Sequence, residues 1–240
     1  MKIGIAILNW NGLNLLKSHL KEVVSKSNNS CVYIIDNNSS DGSVKFVREN
    51  FPEVNIISLD KNYGFAGGYN KGLKAITEDL ICIMNNDIEV TSNWLDPIRE
   101  IFSEKPNSII QPTIMDLNNK QYFEYAGASG GFIDKYGYPF CRGRIFKTVE
   151  KNNGQYIDSK IFWASGACMF LQKKQFFELG GFDERFFAHM EEIDLCWRAF
   201  NSGIDCLASS NSIVYHIGCL LYTSDAADEG LGVDLGGRRI

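Results

Sequence analysis

The chain has 240 residues, 45% of them hydrophobic, and a formal net charge of −5. That charge leaves no electrostatic case for nucleic acid, which wants a basic patch or stripe, and no apolar run approaches the ~18 residues of a membrane span. The seven cysteines are scattered, odd in number and without a Cys-x-x-Cys pair, which argues against a disulfide framework or structural zinc and for a reducing cytoplasm.

Met1–Leu8 is too short for a signal peptide and reads as a first buried strand, Ile3–Leu8. Leu13–Lys26 has helical apolar spacing at Leu13, Leu16, Leu20, Val23 and Val24. Strand Val32–Ile35, helix Ser43–Glu49, strand Val54–Leu59, helix Gly68–Ile76 and strand Leu80–Met84 follow, then a helix Ser92–Ser103 with Ser92 as candidate N-cap. This alternation predicts a mostly parallel, Rossmann-like sheet with right-handed crossovers. In the second half, Ser108–Met115, Phe162–Leu171, Ile204–Leu207 and Ser212–Tyr215 read as strands. Lys173–Leu179, stopped by Gly180-Gly181, and Ile193–Asn201 read as helices. Asn118–Asp158 has no clear period and reads as a long, mobile, substrate-facing segment.

Leu80–Asp87 is an apolar strand running straight into Asn85-Asn86-Asp87. Ligands of open α/β sheets bind just beyond the carboxyl ends of such strands. Three more polar patches follow predicted strands: Asn9–Gly12, Asp36–Ser43 and Asn62–Gly68. Parallel strands put all four at one edge, able to line one site; the competing reading is four ordinary turns. Asp36 can accept hydrogen bonds from a base imide or ribose hydroxyl, or simply cap its own turn. Gly64, Gly67 and Gly68 would let backbone approach phosphates at a helix start, or make a tight turn. Asp87 suits a divalent cation shared with substrate phosphates. Glu191, Glu192 and Asp194 crowd one helix start, where the macrodipole favours anions; mutual repulsion tends to raise a pKa toward that of a useful base. His216 could bind metal or diphosphate, or be structural.

Together these segments resemble glycosyltransferase family 2, across Lys2–Gly218. The matching stretches are Ile7–Gly12, Asp36–Ser43, Asn62–Asn70, Asn85–Asp87, Trp163–Ala167 and Glu191–Arg198. The Asn-x-Gly-Phe-Ala-Gly-Gly and Glu-Glu-x-Asp-Leu-Cys-x-Arg pair most resembles the rhamnosyltransferase-like branch. The resemblance implies an α/β nucleotide-diphospho-sugar transferase fold (GT-A), as one domain over residues 1–218. Residues 1–104 would hold the donor, and residues 105–218 the acceptor and catalytic groups. It implies an inverting sugar transfer from a dTDP- or UDP-sugar to a glycan or lipid-linked acceptor, in bacterial cell-surface polysaccharide synthesis, in the cytoplasm or at the inner membrane face. Donor contacts fall to Asn9, Asn11, Asp36, Asn38, Asn62, Gly64, Phe65, Gly68, Asn70, Asn85 and Asn86. Acceptor contacts fall to Trp163, Gly166, Ala167 and Asp194. Asp87, last residue of an Asp-x-Asp-type motif whose first position is here Asn85, and His216 would hold Mg²⁺ or Mn²⁺. Glu192 falls at the general base, with Glu191 the alternative. The rivals are a sugar nucleotidyltransferase, disfavoured because Ile7–Gly12 has no Lys or Arg, and a catalytically silent sugar-nucleotide binder. Cys219–Ile240 resembles the translation of a transposase-type sequencing adapter and is excluded from fold reasoning, so the native sequence is expected to break off near Gly218.

Overall fold

Strand-forming runs that are apolar at every position need cover on both faces, and this chain supplies it with helices on either side of one curled sheet. The computed structural model describes residues 1–186 and 190–218; the adapter-like stretch lies outside them. In chain order the elements begin β1 (Ile3–Asn9), α1 (Leu13–Lys26), β2 (Ser30–Asp36), α2 (Ser43–Asn50), β3 (Asn55–Ser58), α3 (Gly64–Gly72) and β4 (Leu80–Met84). Then come β5 (Ile88–Val90), α4 (Asp96–Glu104), β6 (Ser108–Asp116), β7 (Gly131–Ile133), β8 (Pro139–Cys141), β9 (Arg144–Ile145) and β10 (Thr148–Val149). The remainder are β11 (Ser159–Ile161), β12 (Cys168–Gln172), α5 (Lys173–Glu178), α6 (Glu191–Asn201) and β13 (Asp205–His216).

The main sheet runs β11-β13-β6-β12-β4-β1-β2-β3, with β5 on β13. It is mixed. β3, β2, β1 and β4 are parallel, as the alternating pattern predicts, and so are β6 and β13; β12, β11 and β5 run antiparallel to their neighbours. Period-2 alternation sorts the core into two layers. Ile3, Ile5, Ile7, Leu80, Cys82 and Met84 face the layer holding Leu16 and Leu20 of α1 and Phe102 of α4. Ala6, Ile81 and Ile83 face the layer holding Tyr69 of α3, Phe176 of α5 and Leu195 of α6.

Four sequence expectations are corrected. The fourth helix begins at Asp96-Pro97, not Ser92, and proline in the first turn is the signal that marks it. Phe162–Ala167 is not strand; only Cys168–Gln172 is. The two last strands are one, β13, with its register broken between Ser209 and Ile213. Asn118–Asp158 is not structureless. It folds into two short hairpins, β7–β8 and β9–β10, and Phe123 and Ala128 are buried in a core of their own.

Helix α3 lies so close to β2 that Gly72 has no room for a side chain: a Cβ there would sit 2.5 Å from Ile35 Cδ1 and Cγ2. Gly72→Ala is expected to cost about 1–3 kcal/mol through overpacking, read as a lower Tm.

Candidate active site

The loops after the parallel strands are tied into one polar rim. Asn9, buried at the end of β1, donates from Nδ2 to Asp36 Oδ1 (3.4 Å) and Ser39 Oγ (3.2 Å), and accepts from Asn86 Nδ2 at 3.1 Å. Asn11, in the left-handed region at φ 50, accepts from the Ser40 amide at 2.8 Å. Asn37 donates to Asn62 Oδ1 (2.8 Å) and the Gly64 carbonyl (2.9 Å) and accepts from the Tyr63 amide, so α3 is launched from a loop clamped by β2. Asp41 Oδ2 accepts from the Leu13 amide at 2.8 Å and so caps α1 from the next loop. Burial alone would raise the Asp41 carboxyl, but the Ser43 hydroxyl and the Leu13 and Ser43 amides hold it below the usual carboxylate range. Asp36 is buried at the same rim, with Ser39 N–H on Oδ2 at 3.1 Å. Asn38 stays exposed at φ 64.

At the end of β4 the rim turns acidic. Asp87 Oδ1 lies 3.2 Å from His216 Nε2, and the Asn85 amide lies 3.4 Å from the same nitrogen. Their meeting is a matter of register: the three residues after Asp87 form β5, which pairs antiparallel with β13 so that Ile88 faces His216. Burial by itself would lower the His216 pKa, but the Asp87 and Glu124 carboxylates on either side of the ring push it up to about 10. One carboxylate oxygen and one imidazole nitrogen 3.2 Å apart can form part of a shell for a divalent cation, while the Asn85 side-chain nitrogen beside them is a hydrogen-bond donor and not a ligand. Among the described residues no group of three or more His, Cys, Asp or Glu is placed to hold a metal ion. Two protein ligands completed by phosphate oxygens and water is the usual pattern for Mg²⁺.

The third group is the start of α6. Met190, in the left-handed region at φ 77, turns the chain into the helix, and Glu191, Glu192 and Asp194 occupy its first turn. Although Glu192 keeps part of its surface open, its Oε2 is buried with no hydrogen-bond partner among the described residues. Burial and the neighbouring Glu191 raise its carboxyl to about 7, against the opposing pull of the N–H groups at the helix start. Gly166-Ala167 runs from beside the Glu192 stem to the end of β4: a Cβ on Gly166 would lie 3.5 Å from Phe65 Cζ and 3.6 Å from Glu192 Cβ, while the Ala167 carbonyl accepts from the Asn85 backbone N–H at 3.0 Å.

Four expected ligand contacts prove to have structural partners. Gly68 faces inward, where a Cβ would sit 2.7 Å from Leu8 Cδ1, so it serves helix-to-sheet packing. The Asn70 amide is used on the backbone of Phe182 (2.8 and 2.9 Å) and on Glu184 (3.1 Å). Trp163 is buried under β7, its indole N–H on the Phe132 carbonyl at 2.9 Å. Asp194 pairs with Arg198 at 2.5 Å, and Arg198 in turn bonds the Leu179 and Gly181 carbonyls. Sequence reasoning missed Glu124, the second carboxylate at His216; it lies in a segment with no period.

A family model for glycosyl transferase family 2 matches residues 5–178. The chain belongs to that family. It is 24% identical over 203 residues to N-acetylglucosaminyl-diphospho-decaprenol L-rhamnosyltransferase of Mycobacterium tuberculosis, covering 77% of this chain and 66% of that protein. Its fold matches GalNAc-T7, solved with UDP, GalNAc and Mn²⁺, at a TM-score of 0.72 and 17% identity over 90% of this chain and 44% of that one. It also matches Staphylococcus aureus TarS 1-349, solved with UDP-GlcNAc, at 0.68 and 12% identity over 94% and 62%. The architecture is that of GT-A glycosyltransferases, a curled mixed sheet flanked by helices. The chain spans less than two thirds of the length of each.

Proposed function

We propose that this chain is an inverting glycosyltransferase that moves a sugar from a nucleoside-diphosphate donor to a hydroxyl of a glycan or lipid-linked acceptor. The observation that carries this reading is the Gly166-Ala167 bridge. It runs from beside the stem of Glu192, whose carboxyl burial and Glu191 raise to about 7, to the backbone of Asn85 at the start of the segment that carries Asp87. Asp36 and the rim of Asn9, Asn11, Asn38, Asn62 and Gly64 receive the nucleoside and its diphosphate, with Asn85 and Asn86 beside them. Asp87 and His216 would hold a divalent cation, which when bound would supply Lewis-acid neutralisation of the leaving diphosphate. Glu192 Oε accepts the acceptor hydroxyl proton as that oxygen attacks the anomeric carbon. The bond to the diphosphate oxygen breaks on the opposite side, so configuration inverts without a glycosyl-enzyme intermediate.

The rhamnosyltransferase relative supports rhamnose or a similar sugar and a lipid-linked acceptor; the donor we propose is a dTDP- or UDP-sugar, and the product part of a cell-surface polysaccharide. Among the described residues no helix is long and apolar enough to cross a membrane. We place the enzyme's work at the cytoplasmic membrane face, where a lipid-linked acceptor would be met. A silent binding protein would have no need of a buried acid at Glu192, and that observation favours the enzyme.

The test is thermal stability against a panel of nucleotide sugars, with Mn²⁺ or with EDTA. Donor at 100 times its Kd stabilises by about 2.7 kcal/mol, or roughly 5–10 °C in Tm for a domain of this size. The shift is expected for one donor and to vanish with EDTA. No response to any nucleotide sugar, with or without Mn²⁺, would sink the reading.

A further inference from the structure

One buried acid has no place in the mechanism above. Glu124 is 3% exposed. Its amide donates to the Ile114 carbonyl at 3.1 Å, next to the Met115–Phe123 bridge, so the start of the aperiodic segment is laced to the end of β6. One carboxylate oxygen accepts from the Ala126 amide at 2.7 Å, a bond that a neutral Asn or Gln could also make. The other, Oε1, lies 3.8 Å from His216 Nδ1. That nitrogen is buried and has no hydrogen-bond partner within normal reach among the described residues. One imidazole thus has a buried carboxylate on each edge, Asp87 at Nε2 and Glu124 at Nδ1.

A histidine ring can rotate and present either nitrogen. Metal-ligating imidazoles are held in one orientation by an acceptor on the far nitrogen, often a carboxylate. We propose that Glu124 is a positioning residue: its carboxylate, 3.8 Å from His216 Nδ1 in this structure, closes on the Nδ1–H when a cation binds, fixes the ring, and leaves Nε2 free to face the cation beside Asp87. The proposal rests on the reading of Asp87 and His216 as the cation corner. Glu124 touches neither donor nor acceptor; it acts only through His216.

Mn²⁺ affinity, read from the free-ion electron paramagnetic resonance signal in the presence of UDP, tests this without turnover. Glu124→Ala is expected to bind Mn²⁺ about 10–100-fold more weakly. Glu124→Gln has one acceptor oxygen for two donors, the Ala126 N–H and the His216 Nδ1–H, so its affinity should fall between those of wild type and Glu124→Ala. In the Mg²⁺- and UDP-loaded wild type, long-range ¹H–¹⁵N spectra should show His216 protonated at Nδ1 and bare at Nε2. The reverse tautomer overturns the proposal, and does so even where Glu124→Ala fails to fold. A folded Glu124→Ala with wild-type Mn²⁺ affinity overturns it as well, provided that His216→Ala binds more weakly. Unchanged affinity in His216→Ala would instead remove the cation corner itself, a failure of the underlying reading.

Discussion

Glu192→Gln is expected to lower the transfer rate by about 10²–10⁴-fold, the usual worth of a general base, with donor affinity unchanged. The argument is local. Glu192 begins a helix, where N–H groups favour the charged form, yet burial and the Glu191 charge raise its carboxyl from 4.5 to about 7. A base that titrates near the working pH combines availability with proton affinity. kcat/KM should therefore climb with pH through about 7 in the wild type. The sign for stability is opposite. A carboxyl whose folded pKa lies above its unfolded value contributes stability that is fully present below about pH 4.5 and is lost as pH rises through about 7. Glu192→Gln, neutral throughout, should lose that decline together with the catalytic limb. Turnover in Glu192→Gln within about tenfold of wild type would move the base to Glu191, and the matching Glu191→Gln variant would then carry the loss.

Much of this site was legible before any coordinates. β4 is apolar at five successive positions and stops at an amide pair, which placed Asp87 at the ligand edge of the sheet. Strand alternation placed Asn9, Asp36 and Asn62 on the same edge, where Asn9 bonds Asp36, Asn37 bonds Asn62 and Asn86 bonds Asn9. Period told nothing where period was absent. β5 is three residues long, too short to alternate, yet its pairing with β13 is what delivers His216. The polar residues between Leu207 and Ser212 separate two expected strands, but the chain bulges there and continues as one strand. Trp163 and Asn70 match the family pattern by residue type, and residue type is silent on whether an indole or an amide is spent internally. Glu124 reaches His216 by folding an irregular segment back onto β6, a long-range contact that leaves no local mark.

Asp87→Asn is the sharper test of the cation corner. Asn85 and Asn86 offer only neutral amides, so Asp87 is the sole carboxylate of that motif. Weakening the hold on a cation that would stabilise the developing negative charge costs about 10²–10³ in rate, and the loss should appear in Mn²⁺-supported turnover and in the Mn²⁺-dependent part of the donor thermal shift. A second effect acts on the free protein. Asp87 and His216 are both buried, and removing one member of a buried pair costs about 3–5 kcal/mol when the other must stay charged. His216 has a way out, since it can shed its proton, and Glu124 still faces Nδ1 at 3.8 Å. The expected Tm loss is therefore smaller than for an isolated pair. The two effects separate by titrating Mn²⁺: a stability defect shifts the unliganded Tm, whereas a ligand defect flattens the Mn²⁺ response. An Asp87→Asn protein that folds, binds donor in a Mn²⁺-dependent manner and turns over would leave the cation to His216 and the donor phosphates. The acid at the end of β4 would then serve only to hold the imidazole.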